Sequence, residues 1–250
     1  MRAAFVCCLL LVLALEGRAA EPPRIALVSG SLEYDSDASL TAYGKALEKA
    51  FVVTIVPMLR KSDTDIPGLE KLASCDAAIF FTRRLKPNEE QLAAVKAYLD
   101  SGKPVLGLRT ASHGFQNFLE MDKLIFGGDY AGHHKVGPTC AVSLDAGAAD
   151  HPILKGVKPF TSLGSLYKNT APAKDVTILL RGEADGKTAP LAWVRLRKLD
   201  DRRTQRVFYT SLGHAKDFEI EAFTRLLTQA LQWSLVDGLP VRPAAPMAAP

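Results

Sequence analysis

Residues 77–114 read AAIFFTRRLKPNEEQLAAVKAYLDSGKPVLGLRTASHG. The opening run to Phe81 is apolar without a break, as in a strand buried on both faces. Pro87 and Asn88 then start a segment in which Leu92, Val95 and Leu99 fall on one helical face, and Gly102 ends it. Residues 104–108, PVLGL, form another buried strand. Strand, helix, strand in one short stretch is a βαβ unit, whose strands pair in parallel.

The same alternation extends toward the N-terminus. Residues 24–28 are a short apolar strand ending at Ser29-Gly30. Residues 37–50 place Leu40, Tyr43, Leu47 and Ala50 on one face of a helix that Asp37 or Ser39 is placed to cap. Residues 51–58 are β-branched and apolar, and a short helix near 68–73 introduces the strand at 77. Toward the C-terminus, 139–144, 176–180, 191–196 and 206–210 are strand-like. RKLDDRRTQ at 197–205 reads as a solvated hairpin tip, and 216–233 as a closing helix with Phe218, Phe223, Leu226, Leu227, Ala230 and Leu231 turned inward. The pattern predicts one α/β domain, residues 24–238, with three layers and a mostly parallel central sheet. The Pro- and Ala-rich residues 239–250 read as a disordered tail.

Composition is that of a globular protein: 250 residues, 48% hydrophobic and 23% charged. The charge balance, 31 − 27 = +4, is too small and dispersed to point to nucleic acid. Arg2 followed by an apolar run at residues 3–15 and the small residues around Ala19 predict a secretory signal over residues 1–19. The run is shorter than the roughly 20 apolar residues a spanning helix needs. The expectation is therefore a secreted or periplasmic protein with no stable membrane insertion. Cys75 and Cys140 remain after cleavage; both sit in apolar surroundings and read as buried thiols, with a disulfide left open.

Ligands of open α/β sheets bind beyond the carboxyl ends of the strands. Four segments qualify: SGSLEYD at 29–35, RTASH at 109–113, FGGDYAGHHK at 126–135 and SLGHAKD at 211–217. His113, His133, His134 and His214 all fall in them, whereas Asp150-His151-Pro152 reads as a structural turn. Imidazoles titrate near neutrality and ligate metals. No cofactor is firmly implied, and a divalent metal on His113, His134 and His214 stays open. A Ser112–His214–Asp217 triad can be drawn but lacks the G-x-S-x-G spacing. Gly127 to Gly132 mimics half a phosphate-binding loop, with His133 where lysine would be needed.

The segments PVLGLRTASHGF, FGGDYAGHH, DHPILKGVKPF, GSLYK, PLAWVR and RVFYTSLGHAKDF, in this order, resemble the ThuA-like (trehalose-utilisation) family over most of residues 24–236. The resemblance implies a flavodoxin-like three-layer sandwich similar to the class I glutamine amidotransferases. Those enzymes carry a nucleophilic Cys after the strand matching 104–108. Here Arg109 follows that strand and no Cys is near, so glutamine amidotransfer is not expected. Many members have His where this chain has Arg109, and an acidic residue near Gly164-Ser165-Leu166.

The resemblance further implies a role in catabolism of trehalose or a related disaccharide, including 3-keto forms, with a small-molecule sugar as partner. On this reading His214 is the expected base and His113 a second acid or base. Arg109 would stabilise a developing enolate, and Tyr130, His133, His134, Tyr167 and Asp217 would contact substrate. Asp217 has a second reading as a helix cap, and Arg109 as a buried structural cation. The alternative to an enzyme is a non-catalytic sugar-binding domain on the same scaffold.

Overall fold

Alternate residues of the parallel strands feed two separate cores, one on each side of a single sheet. In β1 (Arg24–Gly30), Ile25 and Leu27 enter one core while Ala26 and Val28 enter the other. In β3 (Ala77–Thr82), Ile79 and Phe81 divide from Ala78 and Phe80 in the same way. The first core is covered by α1 (Ser36–Ala50) and α3 (Glu221–Ser234). The second is covered by α2 (Glu89–Asp100) and the short helix Leu69–Ser74. The result is the expected three-layer α/β domain. The computed structural model describes residues 21–135, 137–169 and 172–243. The signal segment at 1–19 and the tail from 244 onward lie outside these.

The sheet has nine strands in the order β2-β1-β3-β4-β9-β8-β7-β5-β6. Here β2 is Thr54–Leu59, β4 Val105–Leu108, β5 Cys140–Leu144, β6 Phe160–Ser162, β7 Val176–Ala184, β8 Lys187–Lys198 and β9 Thr204–Thr210. The four pairings from β2 to β9 are parallel. The four from β9 to β6 are antiparallel. The expectation of a mostly parallel sheet is thus corrected: the sheet is mixed, and its longest ladders are antiparallel. The cause is local. Asp185 and Gly186, with φ +46° and +68°, form a two-residue turn that folds β7 directly onto β8. The charged segment after Lys198 does the same for β8 and β9.

Smaller expectations also shift. Asn88 caps α2 by accepting from the Gln91 amide at 2.9 Å. At α1 neither Asp37 nor Ser39 caps; the left-handed Asp35 precedes the helix, and Asp37 accepts from Ser29 Oγ. Cys75 and Cys140 are buried free thiols in different cores, on opposite faces of the sheet. Residues 239–242 are not a loose tail. Val52 N donates to the Pro240 carbonyl at 2.7 Å and Arg242 N to that of Ala50 at 3.0 Å. Among the described residues no helix is long and apolar enough to cross a membrane.

Candidate functional site

The parallel strands β1, β3, β4 and β9 end along one edge, and their loops supply the site. The turn after β4 is the most constrained part. Arg109 has φ +45°, a conformation that costs free energy for any residue but glycine and persists only where the surroundings enforce it. The enforcing contacts are visible. The Tyr209 hydroxyl donates to the Arg109 carbonyl at 2.7 Å, and the Thr110 hydroxyl to Ser31 Oγ at 3.0 Å.

The Arg109 side chain is 1% exposed. Its guanidinium lies 4.2 Å from the ring centre of Tyr34 and 4.9 Å from that of Tyr167, a cation held against two aromatic faces. It donates to the Ser211 carbonyl at 2.9 Å and, at longer range, to the hydroxyls of Tyr34 (3.2 Å) and Ser165 (3.4 Å). Its Nε has no partner. No carboxylate pairs with it among the described residues, so the structural ion pair is not what holds it. Space for it depends on Gly164, where a Cβ would lie 2.5 Å from Nη1.

From this turn the short helix Arg109–His113 carries His113 to the edge. Its imidazole stacks on Tyr130 at 4.4 Å between ring centres, and Tyr130 stands 4.7 Å from Tyr167. His113 Nδ1 lies 3.1 Å from Ser112 Oγ, which in turn donates to the Arg109 carbonyl at 3.4 Å. In the tautomer where the Ser112 hydroxyl donates to the Arg109 carbonyl, Nδ1–H donates to Ser112 and Nε2 keeps a free lone pair. Burial, together with the charges of Arg84, Arg83 and Arg109, pushes the His113 pKa down to about 4. It is neutral at physiological pH.

Tyr130 is placed by the glycine-rich loop. Asp122, in the π-helical turn Asp122–Phe126, accepts from the Tyr130 amide at 3.0 Å and raises its own pKa to about 6, chiefly through burial. Gly128 lies so close to Asp122 Oδ1 that a Cβ would overlap it. Farther on, the loop pairs with the segment around Tyr167: Lys168 N donates to the Gly132 carbonyl at 2.9 Å and His134 N to that of Leu166 at 2.8 Å. His133 forms a bridge with Tyr167 and is exposed. His134 is half-buried, in the field of Lys168 and Lys187, with Nε2 unpartnered.

His214 caps the short helix Ala215–Glu219, its Nδ1 accepting from the Lys216 amide at 3.2 Å. A neutral ring that accepts at Nδ1 carries its proton on Nε2, so His214 presents a donor. Its ring meets the edge of Tyr34 at 6.1 Å. Asp217 is fully buried. Its carboxylate accepts from Ser162 Oγ and from the amides of Leu163, Gly213 and His214, all at 2.8–3.1 Å. Every lone pair is engaged, so Asp217 holds the scaffold and does not reach a ligand. His151 caps the turn at Pro152–Leu154 and packs on Trp233, the structural role expected of it.

The structure therefore gathers Arg109, His113, Tyr130, Tyr167 and His214, and adds three residues that sequence reasoning missed. Tyr34 lies in the loop after β1 and covers Arg109. Arg83 and Arg84 follow β3, so the strand-end rule applied to that strand would have found them. Among the described residues no three His, Cys, Asp or Glu stand together as a metal-holding group, so His113, His134 and His214 do not form one ligand set. A cavity of about 510 Å³ between α1 and α3, lined by Ala42, Tyr43, Ala46, Phe218 and Thr224 among others, includes none of these site residues in its lining.

Among known proteins, the fold is similar to that of a ThuA-like protein from Parabacteroides merdae, with a TM-score of 0.66, 16% identity and coverage of 90% of this chain and 94% of that one. A ThuA-like protein from Bacteroides uniformis gives 0.63 at 17% identity, covering 89% and 96%. A cytoplasmic protein from Salmonella typhimurium gives 0.53 at 14% identity, covering 85% and 98%. These likenesses establish the fold. Among curated proteins none matches the chain. The sequence profile described as ThuA, trehalose utilisation, matches residues 32–234, which take in every site residue above. The chain belongs to the ThuA family.

Proposed function

We propose that this ThuA protein acts on a disaccharide of the trehalose type or its 3-keto form, by proton transfer at the strand-end edge. The observation that carries the reading is the complementary pair of imidazoles. His113 is neutral and is taken in the tautomer that leaves its Nε2 lone pair free; His214 is held by its cap with a proton on Nε2. A 3-keto sugar has an acidified C–H beside its carbonyl. His113 takes that proton and the carbonyl oxygen gains negative charge as the enolate forms. Donors for that oxygen are at hand in His214 Nε2–H and in the hydroxyls of Tyr34 and Ser165, which Arg109 polarises. In this reading His113 is the base and His214 a donor, the reverse of the order the sequence suggested.

The partly exposed ring of Tyr130 offers an apolar surface for the C–H side of a pyranose, while Tyr167 is buried behind it against Arg109. Arg109 occupies the turn where, by the family resemblance, an amidotransferase nucleophile would stand, so this reading uses acid–base and not nucleophilic chemistry. Export follows in this reading from the apolar run at residues 3–15. The test is turnover of disaccharides and 3-keto-disaccharides by the mature chain, followed by NMR beside His113→Asn and His214→Ala. Turnover lost in His113→Asn and reduced in His214→Ala, with ligand affinity retained, supports the reading. Affinity without turnover in any form assigns a binding domain instead.

A further inference from the structure

The strand-end site holds more positive charge than the fold uses. Three arginines converge on it, and only Arg83 has a carboxylate partner, Glu33 at 2.6 Å. Arg109 is nine-tenths buried and more, with a free Nε and no carboxylate at ion-pair distance among the described residues, the Asp217 carboxylate acting on it only from farther off. Arg84 is exposed, in the left-handed region at φ +52°, and its side chain makes no ion pair or hydrogen bond among the described residues. Its backbone is locked to the site, since Arg84 N donates to the His113 carbonyl at 3.1 Å. A non-glycine residue held at positive φ at a strand end, presenting an unpaired guanidinium, marks strain retained for function.

The hydroxyls around Arg109 add to this. Tyr34 and Ser165 accept from the guanidinium, so each must direct its own O–H elsewhere. Two polarised O–H donors and an open guanidinium fork on one edge match an oxyanion better than a neutral hydroxyl. We propose that the substrate is a sugar anion, a saccharide bearing a carboxylate or a phosphate ester, with Arg84 as its docking residue beside His113. This deepens the proposed function and rests on its placing of the site.

The lowered His113 pKa is consistent with it. Arg84 is the largest charge acting on that imidazole after burial. An anion on Arg84 would offset this field and make His113 a stronger base only when substrate is bound. A neutral sugar would leave His113 as it is.

The chain has five histidines, so the His113 imidazole can be followed by NMR while ligands are titrated into the full mature protein. The probes are glucose, glucuronate, glucose 6-phosphate, sodium acetate and inorganic phosphate. Glucuronate or glucose 6-phosphate should bind roughly tenfold tighter than glucose at low ionic strength, with the preference falling as salt rises. Whichever sugar anion binds tighter identifies the carboxylate or the phosphate as the natural group. Arg84→Gln, an exposed change, should bring the ratio to glucose near one, and Arg84→Lys should restore part of it.

Equal affinity for glucose and both sugar anions overturns the inference, as does a preference that survives Arg84→Gln. Acetate or phosphate binding as tightly as the sugar anions reduces the site to one for adventitious anions and also overturns it, as would no binding at all. Turnover of neutral sugars without anion preference would sink this inference alone. Tight binding of a sugar anion without turnover would sink only the enzymatic reading.

Discussion

Replacing Asp122 by Asn should stabilise the protein in a way that depends on pH. Asp122 is 8% exposed, one oxygen accepts the Tyr130 amide, and the other has no partner. Burial, opposed in part by that amide and reinforced by Asp129, raises its pKa from 3.8 to about 6. A carboxyl whose folded pKa lies above its unfolded value favours the folded state fully below about pH 4. That advantage is lost as pH rises through 6. Over the range pH 4.5 to 8 the loss integrates to about 2 kcal/mol, and it is steepest near pH 5. Asn accepts the same amide and cannot ionise. Urea denaturation at half-unit pH steps should therefore show the two proteins diverging by about 2 kcal/mol across this range, with the variant ahead at pH 8. Parallel stability curves would refute the reasoning, because they would mean that Asp122 does not titrate against its burial.

Two further changes test the scaffold. Gly164→Ala forces a methyl against the Arg109 guanidinium, which two tyrosines and the Ser211 carbonyl keep from moving. It should cost about 1–3 kcal/mol in thermal or urea unfolding. Asp217→Asn sets an N–H₂ group against donors that now share a carboxylate. It should cost about 3 kcal/mol or more, with unfolding rather than a selective loss of ligand affinity as the first sign.

The parallel half of the sheet was readable because each strand is a short unbroken apolar run bounded by turn residues, as at residues 24–30 and 104–108. Strand direction in the other half was readable too, through a signal left unused. Asp185-Gly186 between two strand-like runs is a hairpin turn, and it makes β7 and β8 antiparallel. The three-residue β6 is too short for any periodicity and exists because β5 offers it a free edge.

The site was half legible. The strand-end rule brought His113 and His214 to one edge, and the family resemblance pointed to Tyr130 and Tyr167. What failed was the assignment of state and partners. Asp217 looks like a ligand-binding carboxylate in sequence, yet four donors separated by up to 55 positions consume it. His214 reads as a base in sequence, and the Lys216 amide bound at its Nδ1 is what leads the proposed function to use it as a donor. Such facts depend on which long-range groups arrive beside a residue, and no local pattern encodes them.

The central claim, that His113 is the base and His214 a donor, is tested most directly by exchange of carbon-bound hydrogen in D₂O. A 3-keto-disaccharide incubated with the mature protein should exchange the C–H beside its carbonyl, read by loss of the proton signal. His113→Asn should slow exchange by roughly a hundredfold or more, in the range of a lost general base, while affinity stays within a few fold. His214→Ala should retain measurable exchange, because it removes a donor and not the base. Exchange that is unchanged in His113→Asn and abolished in His214→Ala would contradict the account and return the base to His214.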